Sequence, residues 1–218
     1  MRYVAGGLAL ALLAAGTALL LMATPRSDPG ASPSRPAHRA TTSAALAPSA
    51  VSVAELALTN ITPERAAELL AIAQGDPWVV TQSSGRRVRP VEIYNVGDGK
   101  SGIQVRFVDY TGRRTLYVIF LADGTIVERG EGGPGGANYS PAEHALASAI
   151  ALSDAGVRGR SDGAALVVNH TTGATGGACA RSRCLSVFLR PANGDRAHFL
   201  IATVDLATEQ VIQVDEGS

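Results

Sequence analysis

Lysine is nearly absent: of the 19 basic residues only Lys100 is lysine. Arginine in its place, beside many alanines and glycines, points to GC-rich bacterial coding. There is no excess of charge either, with 19 basic and 19 acidic residues in the 218-residue chain. Four of the arginines fall before residue 50, so the remainder carries slightly more acid than base. A neutral-to-acidic domain has no electrostatic case for binding nucleic acid. Cysteine occurs twice, as Cys179 and Cys184. That spacing is not the C-x-x-C of thiol oxidoreductases, and no thioredoxin-like βαβ pattern surrounds it. No H-E-x-x-H and no phosphate-binding P-loop occurs, and the glycine-rich run "GEGGPGG" has no lysine and no strand-to-helix context. The chemistry-bearing motifs that would name an enzyme are missing, and no catalytic residue and no cofactor is expected.

What is present begins with a charge-free apolar run at residues 3–23, "YVAGGLALALLAAGTALLLMA". About 20 apolar residues suffice to cross a bilayer as a helix. The run is longer than an ordinary signal core, and Leu21 is bulky where a small residue is preferred before a cut at Ala23. Residues 1–23 therefore read as an uncleaved anchor, with a cleaved signal as the alternative. Residues 24–51 lose the large apolar side chains and gain Pro25, Pro29, Pro33, Pro36 and Pro48, the composition of a disordered, extended tether. Arg2 flanks one side of the run and Arg26, Arg35 and Arg39 the other. A strict positive-inside count would leave the C-terminal part in the cytoplasm, but long domains translocate largely regardless of such counts. An even pair of cysteines suits an oxidising compartment. The expectation is a single-pass protein of a bacterial cell membrane with its globular part extracytoplasmic, or secreted if the leader is removed.

Beyond the tether the sequence repeats itself. "NITPERAAELLAIAQGDP" from Asn60 is echoed by "NYSPAEHALASAIALSDA" from Asn138, with Ile72/Ile150, Ala73/Ala151 and Asp76/Asp154 in step. Thr62-Pro63 and Ser140-Pro141 are helix starts: the hydroxyl caps free amides, and proline at the first position loses no bond it would have made. Glu143, three residues after Ser140, completes a capping box. Alanine and leucine at helical spacing follow, and Gly75-Asp76-Pro77 ends the first run. Strand-like runs come next, at residues 78–82, 88–96, 103–110, 115–122 and 125–129, then 165–170, 184–190, 196–206 and 209–214. Turn signals separate them, among them Gly97-Asp98-Gly99, Asp123-Gly124 and Asn193-Gly194. The fold class expected is α+β. It comprises two tandem copies of a helix on a small antiparallel meander, at residues 52–130 and 138–218, joined by the glycine-rich residues 131–137. Each copy is only about 80 residues, a size at which one core is marginal, so the copies are expected to pack on each other.

The stretch Ile61-Thr62-Pro63-Glu64-x-Ala66 and the closing Val204-Asp205-Leu206-Ala207-Thr208-Glu209-Gln210-Val211 resemble PepSY domains and the cystatin-like N-terminal domains of copper amine oxidases. Glu209 stands where those families usually have glycine. The resemblance covers most of residues 58–216, twice over, and implies a helix on a small antiparallel sheet closed by a hairpin. It implies binding, protease restraint or an accessory role in the envelope, and it carries over no catalytic residue.

Candidate chemistry is sparse. Cys179 and Cys184 read as a structural disulfide pinning the loop "TTGATGGA"; as a redox pair they would draw on the charge of Arg181 and Arg183. His144, His170 and His198 would be the donors of any composite metal site, with His38 out of reach in the tether. Asp76 with Asp154, or Asp109 with Asp123, are the acidic pairs, all at positions where aspartate serves helix ends and turns. Arg86, Arg87 and Arg89, and Arg113 and Arg114, form two basic clusters near turns, either solvated or set against an acidic partner or lipid headgroups. The function expected is a membrane-tethered, non-catalytic module that binds an envelope protein or peptide. The alternative is a redox or metal-linked accessory protein.

Overall fold

Thr62 accepts the Arg65 amide at 3.4 Å, and with Pro63 behind it starts α1, Pro63–Gly75. The same chemistry at Ser140 starts α3, Pro141–Ser153, where the capping box with Glu143 is complete. Each helix ends on an aspartate that immediately begins another. Asp76 accepts the amides of Trp78 (3.1 Å) and Val79 (3.3 Å) and starts α2, Pro77–Ser83. Asp154 accepts the Val157 amide at 2.9 Å and starts α4, Ala155–Gly159. The strand expected at residues 78–82 is thus a helix. Asp-Pro is a cap followed by a first-turn proline as much as a terminator, and that start signal overrides the β-branched Val79, Val80 and Thr81.

This computed structural model describes residues 51–95, 102–161, 163–192 and 199–217. The apolar run and tether before them, the turns at Gly97-Asp98-Gly99 and Asn193-Gly194, and His38, Lys100 and His198 lie outside the described residues. Among the described residues no helix is long and apolar enough to cross a membrane.

The protein is α+β. One sheet has five strands in the order β1 (Ala57–Thr59), β2 (Val88–Asn95), β3 (Ile103–Asp109), β4 (Arg114–Phe120) and β5 (Ile126–Gly132); the other has four, β6 (Leu166–Ala174), β7 (Cys184–Pro191), β8 (Phe199–Asp205) and β9 (Gln210–Gly217). Every pairing is antiparallel except β1 on β2, a short parallel addition the sequence did not suggest. β5 runs on to Gly132 and β6 to Ala174, so strands take residues assigned above to the glycine-rich join and the "TTGATGGA" loop.

Each sheet offers one face to helices. Ala66, Leu69, Leu70 and Ala73 of α1 meet Val105, Phe107, Leu116, Val118 and Phe120. Ala147 and Ala151 of α3 and Val157 of α4 meet Leu185, Val187, Leu189, Ala202 and Val204. Alanine at the contact lets the helices lie close on the strands. Val91, Val108 and Tyr110, from β2 and the end of β3, belong to the second of these cores rather than the first. A bulge between Pro90 and Glu92 turns β2 so that Val91 reaches across. The described residues belong to one compact unit.

Candidate functional site

Where the two sheets meet, Arg183 is buried with only 2% of its surface exposed. A buried guanidinium requires all five of its donors to be used, and they are. Nε donates to Glu143 Oε1 at 2.5 Å and Nη2 to Oε2 at 2.8 Å; the remaining hydrogens go to the carbonyls of Pro134 (3.3 Å), Ala137 (2.9 Å) and Asn138 (2.7 Å). The guanidinium also lies 4.1 Å from the centre of the Tyr139 ring. From the other side Tyr110 donates its hydroxyl to Glu143 Oε1 at 2.6 Å. Burial alone would push the Glu143 carboxyl up, but the bonds and charge of Arg183, with the Tyr110 hydroxyl, outweigh it and hold the carboxyl below its ordinary range. Burial, then the charge of Glu143, pushes the Tyr110 phenol far above its ordinary range. The cluster is a fixed ionic clamp, with no group poised to exchange protons near neutrality.

Glu92, buried, completes the seam. It accepts the Asn138 amide at 3.0 Å and the Asn138 side chain, while Arg106 donates to Glu92 at 3.2 Å and to the Gly136 carbonyl. The recurring asparagines therefore do different work: Asn138 ties the join to the first sheet, whereas Asn60 adopts φ 56° in a turn.

The basic clusters divide. Arg87 spans the seam, donating to Glu209 and to the carbonyls of Leu206 and Ala207 while lying 4.7 Å from the centre of the Tyr110 ring. Arg86 and Arg114 converge on the fully buried Asp109 at 3.0 and 3.1 Å, and Arg114 also holds Glu131 (2.5 Å) and Gln82 (2.8 Å). Arg89 and Arg113 are exposed and have no ionic partner among the described residues. Of the five, these two are available to a partner.

Cys179 and Cys184 form a disulfide with Cα atoms 5.7 Å apart. Cys179 is 8% exposed and Cys184 fully buried. Arg183 is turned inward to Glu143 and so does not serve as a charge beside a thiol. The link closes the loop that carries Arg183, and Tyr139 donates to the Cys184 carbonyl at 2.7 Å. His144 contacts Thr171, and His170 stacks on Phe188 with ring centres 4.0 Å apart. Among the described residues no three metal-ligating side chains gather. Asp76 is occupied by Arg129 at 2.7 Å, and Asp154 accepts the Val157 amide at 2.9 Å as a helix cap.

Gly159-Arg160-Ser161-Asp162-Gly163 has the G-x-S-x-G spacing, but it follows a helix and precedes a strand, the reverse of a nucleophile elbow. Ser161 Oγ donates to the Arg158 carbonyl at 2.8 Å, which is helix-end chemistry. A cleft at the seam, lined by Arg87, Arg89, Tyr110, Leu146 and Glu209, encloses about 50 Å³, room for one or two waters where small-molecule sites need some hundreds.

Four strands form sheet edges: β1, β5, β6 and β9. An edge strand exposes unpaired backbone groups, and charges or covering groups normally blunt it. β1 has three residues, β5 carries Glu128, Arg129 and Glu131, and β9 carries Asp215 and Glu216. Arg160 additionally takes the Val214 carbonyl of β9 at 2.9 Å. β6, "LVVNHTTGA", is the longest at nine residues and has no Asp, Glu, Lys or Arg. A bulge between Val168 and His170 is its one irregularity.

Comparison with family models, with curated proteins and with solved structures finds no match for this chain.

Proposed function

We propose that this protein is a non-catalytic binding module of the bacterial envelope, tethered through its N-terminal segment, that captures an extended segment of an envelope protein or peptide by strand addition to β6. The observation that carries the reading is the uncharged nine-residue edge of β6, beside three edges that are short, charged or covered. In strand addition the backbone ladder supplies affinity and alternate side chains supply selectivity. The matching helix starts and successions of α1-α2-β2 to β5 and α3-α4-β6 to β9 support two tandem PepSY-like or cystatin-like copies. In Val204-Asp205 to Val211, Glu209 sits at φ 56°, a backbone conformation that explains glycine as the usual residue there. The disulfide is compatible with an oxidising, extracytoplasmic setting.

Photo-crosslinking in the native envelope tests the proposal, with the reactive side chain placed at Val167 or Thr172 on β6 and at Val127 on β5. Adducts from β6 that are absent from β5, and that weaken when residues 1–50 are deleted, are expected. Adducts from β5 alone, or a stoichiometric transition metal bound through His144, His170 or His198, would overturn it in favour of a different surface or a metal-linked role.

A further inference from the structure

The two faces of the sheet at the first residues of β6 differ in chemistry. Register sets Leu166 against Pro191, Val167 against Arg190 and Val168 against Leu189. Leu189 lies in the second core, and Leu166 and Val168 pack half-buried against that core. Alternation along the strands therefore turns Val167 and Arg190 to the other face, away from α3 and α4. Val167 is 49% exposed there. Neither β6 nor β7 contains aspartate or glutamate, and Arg190 is the one arginine or lysine on either strand. It is half-buried and makes no hydrogen bond or ion pair with a described residue. The acid that shares its face, Asp215, stands two strands away on β9 and takes the Gln213 side-chain amide at 2.8 and 3.1 Å. A guanidinium stays charged at any ordinary pH, so Arg190 is a cation partly withdrawn from water with no counter-charge beside it.

These positions constrain any strand that pairs with β6. Such a strand lies about 5 Å beyond β6 and so about 10 Å from β7. Its residue beside Val167 shares the face of Arg190, and a glutamate there meets the extended guanidinium across Val167. Aspartate, one methylene shorter, reaches less well. Lysine at that place would set like charges together, which is destabilising. The residues on either side of it turn to the opposite face, beside Leu166 and Val168. An apolar side chain there continues the core, whereas a charge would be buried unpaired, at a cost. The resulting pattern, apolar-Glu-apolar, reads the same whichever way the added strand runs.

We propose that the segment captured at β6 is an acidic amphipathic strand, with apolar-Glu-apolar placed beside Leu166, Val167 and Val168 and its glutamate paired with Arg190. The inference rests on strand addition to β6 and adds the chemistry of the partner. The test is selection from an mRNA-displayed library of random nonapeptides against the full-length chain in detergent micelles. A photo-crosslinker at Thr172 captures peptides on β6, one at Val127 on β5 gives the background, and peptides retained through denaturing washes are sequenced. Apolar-Glu-apolar should be enriched over apolar-Gln-apolar by about two- to fivefold, the range for a partly exposed ion pair. Arg190→Gln, which removes the charge and keeps a polar side chain, should abolish that preference, and Arg190→Glu should reverse it toward lysine. Capture on β6 without a glutamate preference, or with one that survives both substitutions, would overturn this inference and leave strand addition standing. Capture from Thr172 no greater than from Val127 would overturn both.

Discussion

Arg183 and Glu143 meet through two parallel bonds, 2.5 and 2.8 Å long, in a site closed to solvent. The acid comes from the first turn of α3 and the base from the loop clasped by the disulfide, while Tyr110, from the other sheet, closes on the same carboxylate. The pair thus fixes the helix, the join and the end of β3 at one point.

Removing one member leaves the other charged and buried, which typically costs about 3–5 kcal/mol. Glu143→Gln and Arg183→Met are each expected to destabilise the fold by about that amount, read as a lower urea midpoint. Tyr110→Phe, which removes one donor and leaves the ring, should cost about 1–3 kcal/mol.

Acid should undo the same contacts. Arg129 bonds hold Asp76 below its ordinary 3.8. At Asp109 burial opposes ionisation, but bonds from the Gly112 amide, Arg114 and Arg86 win. Glu143 lies below its ordinary 4.5. A carboxyl depressed in the folded state stabilises it fully above the unfolded value, and that stability is lost as pH falls through the folded one. Urea midpoints should hold steady toward neutral pH and then drop once pH reaches 4.5 to 3.8 and below. Asp76→Asn should flatten part of that acid limb.

The disulfide spans five positions, and loop entropy gives about 2 kcal/mol for so small a ring. Cys179→Ala with Cys184→Ala should lower stability by about that much. Because Cys184 is fully buried, dithiothreitol followed by alkylation should label neither cysteine in the native protein and both in urea, read by mass.

Arg113 is exposed and sits at φ 53°, where a side chain costs about 1–2 kcal/mol and glycine costs less. Arg113→Gly should stabilise the protein by roughly 0.5–1 kcal/mol after the entropy of glycine in the unfolded chain is subtracted. Glu209→Gly relieves a similar conformation but gives up the contact with Arg87, so its gain should be smaller. Thermal denaturation of the two variants side by side checks the order.

Residues 52–134 expressed alone should unfold at markedly lower urea than residues 52–218. Val91, Val108 and Tyr110 would lose the core they occupy, and burial of such side chains contributes about 1.5–3 kcal/mol each.

Local chemistry made much of this legible. Thr62-Pro63 and Ser140-Pro141 announced α1 and α3, and alternation announced β3, β4, β7 and β8, because capping and strand periodicity act within a few residues. The same logic misfired at residues 78–82, where β-branched side chains suggested a strand and the Asp76 cap decided for a helix. The two cysteines were close enough for their link to be read directly. Arg183 was legible only as a charge near a thiol, because its partners Glu143, Asn138 and Pro134 are distant in sequence. Arg86, Arg87 and Arg114 looked like surface charge for the same reason.

By itself the sequence determined where α1 and α3 begin, which of their faces are apolar, the closeness of the two cysteines, and the recurrence that places two α-then-β segments in one chain. Those features follow from interactions between near neighbours. Tertiary structure alone decided that Val91, Val108 and Tyr110 serve the second core, that Glu143 is a clamp as well as a cap, and that β6 is the uncharged edge. Each of these depends on strand register and on contacts between distant segments, and a single unpaired carboxylate or hydroxyl has no partner until the chain has folded around it.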